Sequence, residues 1–414
     1  MLYFFKLVSK PIQSTLVFVV FLSRIILAQD KSYLLQVCTV LCSKEYSGRG
    51  YTAYPSQKIT GIEKAKEFII QEIKKNGGYD LREYITKTKQ FSRSVSIKSL
   101  KNKFSYKNEI LFPFNNIHQV YVEINNQKLI LGQDYLPDAS SPNIDFVGQL
   151  IKIDSIHFIN KEHKIILKIS EKLIYSASQQ QEDFVLIHIK KDLLKKENSI
   201  IDCKIKIKAQ IEKVKTNNIY TFIPGTQFPD SFIVFSAHYD HLGNIDTTIF
   251  PGANDNVSGV AVLLDLMRYY KRNPLKYSIA FYFFTGEEIG LLGSKYYVDN
   301  PLFDLKRIKF LINLDLMGGG SEGIMVINGK VFENEFEKLV NINNEKYHLV
   351  VKSRGKAQNS DHYWFTEKGV KSFFIYTLGD IKAYHDIYDI PKNLTFWNYE
   401  KIFSLLVDWI NSIN

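Results

Sequence analysis

Several short stretches of this chain carry side chains that bind divalent cations and move protons: His238-Tyr239-Asp240-His241, Gly252-Ala253-Asn254-Asp255-Asn256, Thr285-Gly286-Glu287-Glu288, Asn313-Leu314-Asp315 and Tyr384-His385. Imidazole nitrogens and carboxylate oxygens are ligands of catalytic zinc, which keeps one coordination position open for water. Two such ions, ~3.5–4 Å apart, need a carboxylate able to bridge them. Asp255 suits that place, because the turn Pro251 to Asn256 would carry a short carboxylate into a crevice. The stretch Val257 to Met267 behind it reads as the start of a helix, whose positive end favours a nearby anion. His238 would hold one ion, with Asp240 behind it to fix the tautomer of the ring. Glu287 and Glu288 would divide the remaining work: adjacent side chains diverge on an extended backbone, so one can ligate while its neighbour faces the bound water.

Most of these groups come directly after an apolar run. Phe232 to Phe235 precedes His238, Tyr277 to Phe284 precedes Glu287, Phe310 to Ile312 precedes Asp315, and Phe373 to Tyr376 precedes the loop with His385. Such runs read as buried strands. In open α/β sheets the ligand crevice lies beyond the carboxyl ends of the strands, so the polar groups placed there converge. Upstream, Tyr33 to Cys42 and Gly61 to Lys75 have helical apolar spacing and are joined by the loop Tyr46-Ser47-Gly48-Arg49-Gly50. From Phe91 to Asp202 the texture is all-β: Val120–Ile124, Lys128–Leu131, Ile165–Ile169 and Phe184–Ile189 alternate, with Asn125-Asn126 as a hairpin turn. From residue 204 onward strands alternate with helices at Gly259–Tyr270, Asn334–Tyr347 and Tyr399–Ile413, the pattern of α/β layering. The expected organisation is therefore a leader (1–28), an α/β domain built from 29–90 and 203–414, and a β-rich insertion (91–202) that shapes or covers the crevice.

The 414 residues carry a net charge of +10, mostly as lysine spread along the chain. Lys204, Lys206 and Lys208 alternate with Ile205 and Ile207, a strand with one buried and one solvated face. No cluster of arginine with stacking aromatics marks a nucleic-acid surface. Cys38, Cys42 and Cys203 imply no disulfide framework. Lys6, Lys10, the apolar run Thr15 to Leu22 and Ala28 have the form of an export signal cleaved after Ala28, interrupted by Arg24. An uncleaved anchor is the competing expectation, for which the run is shorter than the ~20 residues of a span. No stable membrane span is expected once the leader is removed.

His238-Tyr-Asp240, Gly-Ala-Asn-Asp255-Asn-Val-Ser-Gly, Gly-Glu287-Glu288-Ile-Gly-Leu-Leu-Gly-Ser and Tyr384-His385 resemble the co-catalytic zinc exopeptidases of metallopeptidase family 28. The resemblance covers most of residues 205–414. It implies a three-layer α/β/α fold with a mostly parallel, mixed central sheet, and two zinc ions per chain. His238 and Asp315 would hold one ion, Glu288 and His385 the other, and Asp255 would bridge them. It further implies Glu287 as general base, Tyr384 as a donor to the tetrahedral oxyanion, and Ser360-Asp361-His362 as a supporting element; Asp389, one turn beyond His385, is expected to orient it. The implied activity is exported aminopeptidase action on peptides. Carboxypeptidase action, glutaminyl cyclisation and a non-catalytic binding module are the alternatives. Asn256-Val-Ser-Gly259, Gly290-Leu-Leu-Gly-Ser294 and Tyr384 favour the peptidase, and the retained glutamates speak against a binding module. His118, His157, His163 and His188 lie outside this context, His241 is expected close to the site without ligating, and Asp265 reads as a polar helix residue.

Overall fold

The computed structural model describes residues 29–91, 96–104, 109–194 and 199–413. The leader expected at 1–28 lies outside them. Among the described residues no helix is long and apolar enough to cross a membrane. Helix α1 (Lys31–Leu41) is capped by Asp30, whose carboxylate accepts from the backbone N–H groups of Ser32 and Tyr33. Helix α2 (Gly61–Lys75) opens with Thr60 accepting from the Glu63 N–H at 3.3 Å. Its Ile62, Ala65, Ile69 and Ile73 recur on one face and are buried. Strand β1 (Tyr79–Asp80) leads into α3 (Leu81–Phe91), a helix that sequence spacing does not announce. Leu81, Tyr84 and Ile85 in its first turns give it a buried side.

Next along the chain comes a largely antiparallel sheet, built from β2 (Ile110–Ile124), β3 (Gln127–Lys128), β4 (Tyr135–Pro137), β5 (Ile144–Lys152), β6 (His157–Asn160), β7 (Ile165–Ser170), β8 (Val185–Lys190) and β9 (Ile200–Thr216). Its order is β3-β2-β9-β5-β6-β7-β8-β4, and β7 and β8 run parallel. Asn125 and Asn126 form the β2–β3 turn with φ of 50° and 63°, the left-handed values a tight hairpin needs. Of the expected strand Lys128–Leu131 only Lys128 belongs to β3, where it pairs with Glu123 of β2. Along β9 Ile201, Ile205 and Ile207 point inward, while Lys204 and Lys206 pair outward with Glu123 (2.7 Å) and Asp145 (3.0 Å). Strand β9 lies wholly in this sheet, so the change of texture placed at residue 203 falls inside a strand. Alternation continues without a break from the insertion through β9, and no compositional step marks where the central sheet takes over.

The central sheet contains β1, β10 (Ile219–Ile223) and β11 (Phe228–His238). Then come the small hairpin β12 (Asn244–Ile245)–β13 (Thr248–Ile249), α4 (Gly259–Arg272), β14 (Tyr277–Phe284), α5 (Leu292–Asp299), β15 (Ile308–Leu314), β16 (Ile324–Ile327), α6 (Glu333–Lys346), β17 (Val351–Ser353), α7 (His362–Glu367), β18 (Ser372–Thr377) and α8 (Tyr399–Asn411). The order is β1-β10-β14-β11-β15-β18-β16-β17, with β14, β11, β15 and β18 forming a parallel core. Alternate residues serve opposite faces. Ile233, Phe235, Phe281 and Phe283 pack with α1, α2, α4 and α8, whereas Phe232, Val234, Tyr282 and Phe284 pack with α3, α5 and α7. Helices thus cover both faces, giving the expected three layers.

The excursion between β11 and α4 joins the two sheets. Leu242, Ile245 and Phe250 leave the central sheet and are buried in the core of the second one, where the Phe250 ring stacks on Tyr175 at 5.0 Å. Fully burying such side chains contributes ~1.5–3 kcal/mol each. Phe250→Ala should therefore lower the free energy of unfolding by about 3–5 kcal/mol in urea titrations.

Candidate functional site

Strand ends supply the site. His238 closes β11, Asp315 comes directly after β15, and Glu287 and Glu288 lie in the turn after β14. The Gly286 φ of +70° turns the chain there, so the two glutamates diverge by turn geometry rather than along an extended strand. Asp255 stands between the histidines: its Oδ1 is 3.2 Å from His238 Nε2, and its Oδ2 is 3.1 Å from His385 Nε2. A second carboxylate meets each ring, Asp315 Oδ2 at 3.5 Å from His238 Nε2 and Glu288 Oε2 at 3.2 Å from His385 Nε2. Ligand atoms of His238, Glu287 and Asp315 lie within 4.8 Å of one another, as do those of His238, Asp255 and Glu288. Buried His238 Nε2 and Asp315 Oδ1 have no hydrogen-bond partner. Orphaned buried acceptors of these types fit a bound divalent cation.

The electrostatics draw positive charge into this cluster. Burial opposes the charged form of His385, but Glu288 and Asp255 outweigh it and raise its pKa to about 11. Burial also works against ionised Asp255, yet the adjacent His238, His385 and His241 rings hold its pKa well below the ordinary value. Glu288 falls to about 2, because His241 and His385 overcome burial and the nearby Asp255. Glu287 goes the other way: burial, together with Glu288, Asp315 and Asp361, raises it well above the usual carboxylate range against the pull of His238. Neighbouring carboxyls pushed apart in this manner suit different tasks, one binding charge and one carrying a proton.

Residues 218–410 match the model of Peptidase family M28. Over these residues, just under half of the chain, the sequence is similar to that family. Aminopeptidase YwaD of Bacillus subtilis (strain 168) is 31% identical over 172 residues, covering 41% of this chain and 37% of the relative. A probable leucine aminopeptidase 2 of Aspergillus fumigatus is 29% identical over 124 residues, covering 30% of this chain and 24% of the relative. The matched stretch thus spans little more than a third of the first relative's length. Among solved structures, a zinc aminopeptidase from Bacillus subtilis superposes with a TM-score of 0.63 at 18% identity, covering 93% of this chain and 95% of that one. An aminopeptidase from Aneurinibacillus sp. strain AM-1 gives 0.59 at 16%, covering 93% and 94%. These likenesses bear on the fold, and they extend over both sheets.

Of the groups around this cluster, some stand where sequence places them and others do not. Asp389 does not face His385. Its carboxylate accepts from the backbone N–H groups of Asn254 (2.8 Å) and Asp255 (3.0 Å), fixing the loop of the bridging carboxylate. His241 is fully buried, with Nδ1 2.6 Å from Glu288 Oε1. Asp240 sits beside His238, with Oδ1 3.6 Å from Nδ1, and its Oδ2 also accepts from Tyr51 Oη and the Glu288 N–H. Ser360 donates to Asp315 Oδ2 at 3.0 Å and accepts from Asn313. Asp361 and His362 are buried next to it; burial lifts Asp361 to about 7 and lowers His362 to about 3. Tyr384 is exposed and stacks on His385, with ring centroids 4.0 Å apart. Asp265 is buried and accepts from the Tyr399 hydroxyl at 2.7 Å, tying α4 to α8.

Sequence reasoning missed Arg49 and Tyr51, which lie upstream of the family match. Arg49 is completely buried and donates to the carbonyls of Tyr239 (2.9 Å), Pro251 (2.7 Å), Gly252 (2.9 Å) and Asp255 (3.1 Å). Glycine makes this approach possible: a Cβ at Gly50 would meet Gly243 Cα at 2.4 Å, and Gly252 has φ of +59°. Tyr51 donates to Asp240 and accepts from the Gly286 N–H at 3.0 Å, while its ring packs edge-on to Phe112 and Phe114 of β2. The pair of glycines flanking Arg49 is the only local signal. Arg49→Met would leave buried carbonyls unpaired at ~1–3 kcal/mol each. The variant should unfold at a clearly lower urea midpoint, and Arg49→Lys should recover only part, since an ammonium cannot span that fork.

Proposed function

We propose that this chain is an exported, two-zinc aminopeptidase that removes N-terminal residues from peptides. The observation that carries it is the placement of Asp255, one carboxylate oxygen toward each of two histidines that each have a further carboxylate at hand. His238 and Asp315 would hold one ion, His385 and Glu288 the other, with Asp255 shared. The family relatives named as aminopeptidases support the reaction class, and export rests on the leader sequence. When bound, such ions lower the pKa of a water toward neutrality and polarise the scissile carbonyl. Glu287 would accept the proton of the attacking water on its carboxylate and return it to the leaving amine. Tyr384, exposed at the rim and stacked on His385, would donate its hydroxyl proton in a hydrogen bond to the oxyanion.

Glu287→Gln should keep zinc content nearly intact and lower turnover by ~10²- to 10⁴-fold, as measured by metal analysis alongside peptide hydrolysis. Asp255→Asn should instead weaken uptake of both ions. On a panel of free and N-acetylated dipeptides, cleavage should be confined to free amino termini and stop with chelator. Cyclisation of N-terminal Gln by a chain holding one metal would overturn the assignment.

A further inference from the structure

Parallel strands β7 and β8 cannot be joined by a tight turn, and their connection, residues 171–184, travels to the metal cluster. Tyr175 and His385 meet through their backbones and a ring. The Tyr175 N–H donates to His385 O at 2.9 Å, and His385 Nδ1 lies 3.1 Å from Tyr175 O. A carbonyl oxygen only accepts, so Nδ1 must carry the hydrogen. Nε2 is then the ring's ligand atom, and it is the atom facing Asp255 and Glu288. His385 also has φ of +53°, a left-handed value that is strained for a non-glycine residue and persists where its surroundings hold it.

The rest of the connection supplies that hold. Lys172 Nζ reaches Lys382 O (3.0 Å), Tyr384 O (3.4 Å) and Asp386 Oδ2 (3.3 Å), bracketing His385. Tyr175 is anchored by its stack on Phe250. Farther on, Gln179 Nε2 donates to Ile289 O at 3.0 Å, beside Glu288. The geometry points to the β7–β8 connection as a positioning element for the metal position built on His385 and Glu288, with Lys172 and Tyr175 as its working residues. All of it lies outside the family-matched residues 218–410. The inference rests on the two-metal assignment above.

Groups that hold a ligating histidine are worth ~10- to 100-fold in metal affinity. Lys172→Met changes an exposed side chain, so the fold should survive. Tyr175→Ala removes the anchor on Phe250 as a second probe. The metal-free protein would be titrated with Zn²⁺ against a chromophoric chelator, with thermal unfolding of the same metal-free samples and with Lys191→Met, an exposed ion-pair lysine, as control. The expected result is two zinc ions in the wild type, with the weaker or the tighter one alone losing ~10-fold or more in both variants and the control unchanged. Equal weakening of both ions, or wild-type affinities in both variants, would overturn the inference and leave the two-metal assignment standing. A wild type that takes up fewer than two ions would overturn both.

Discussion

Everything in this molecule turns on keeping one short carboxylate, Asp255, between two imidazoles in a largely buried setting. Like charges gathered there repel, and each loses hydration, so such a cluster is unfavourable unless opposite charge and hydrogen-bond donors are fixed around it. The fold meets this with rigid backbone. The Asp389 carboxylate takes the N–H of Asp255, and Arg49 takes its carbonyl, so the loop is held from two sides by side chains far away in sequence. Asn254 and Asn256 complete the frame by bonding Gly318 N–H and Leu314 O, which ties the bridging residue to the loop of Asp315.

The parallel core explains why the ligands converge. β14, β11, β15 and β18 end on one edge, and each delivers its polar residue within a few positions of that edge, apart from His385, which needs a longer loop. Strand ends are stiff and loops are not. His385, set back from its strand end, accordingly has support from outside the sheet, from Tyr175 and Lys172. Its strained backbone is consistent with a conformation imposed by neighbours rather than chosen locally.

Much of this is legible in the sequence. The apolar runs before His238, Glu287 and Asp315 are strands, and α1, α2, α4, α6 and α8 lie within two residues or so of where periodicity puts them. The ligand-type side chains in their motifs do meet. The groups that sequence does not reveal act through the backbone or over long separations. Arg49 binds only carbonyls, Tyr175 contributes a carbonyl of its own, and Asp389 caps amides instead of facing the histidine beside it. None of these leaves a periodic or compositional trace. Helix α3 escapes notice for a different reason: Leu81, Tyr84 and Ile85 are buried in its first turns, and Thr86 to Gln90 are polar. The extent of β9 is hidden because alternation marks a strand but not the sheet to which it belongs.

The plug formed by Leu242, Ile245 and Phe250 has a bearing on how such proteins can be taken apart and recombined. It lies between two ligand-type residues, His238 and Asp255, yet its apolar side chains fill the core of the other sheet. A cut made at the ends of that sheet would strand these side chains in water and free the loop that carries the bridging carboxylate. The second sheet is therefore inherited or exchanged intact only together with the plug of residues 242–250, and packing changes inside that sheet reach the loop of Asp255 through it.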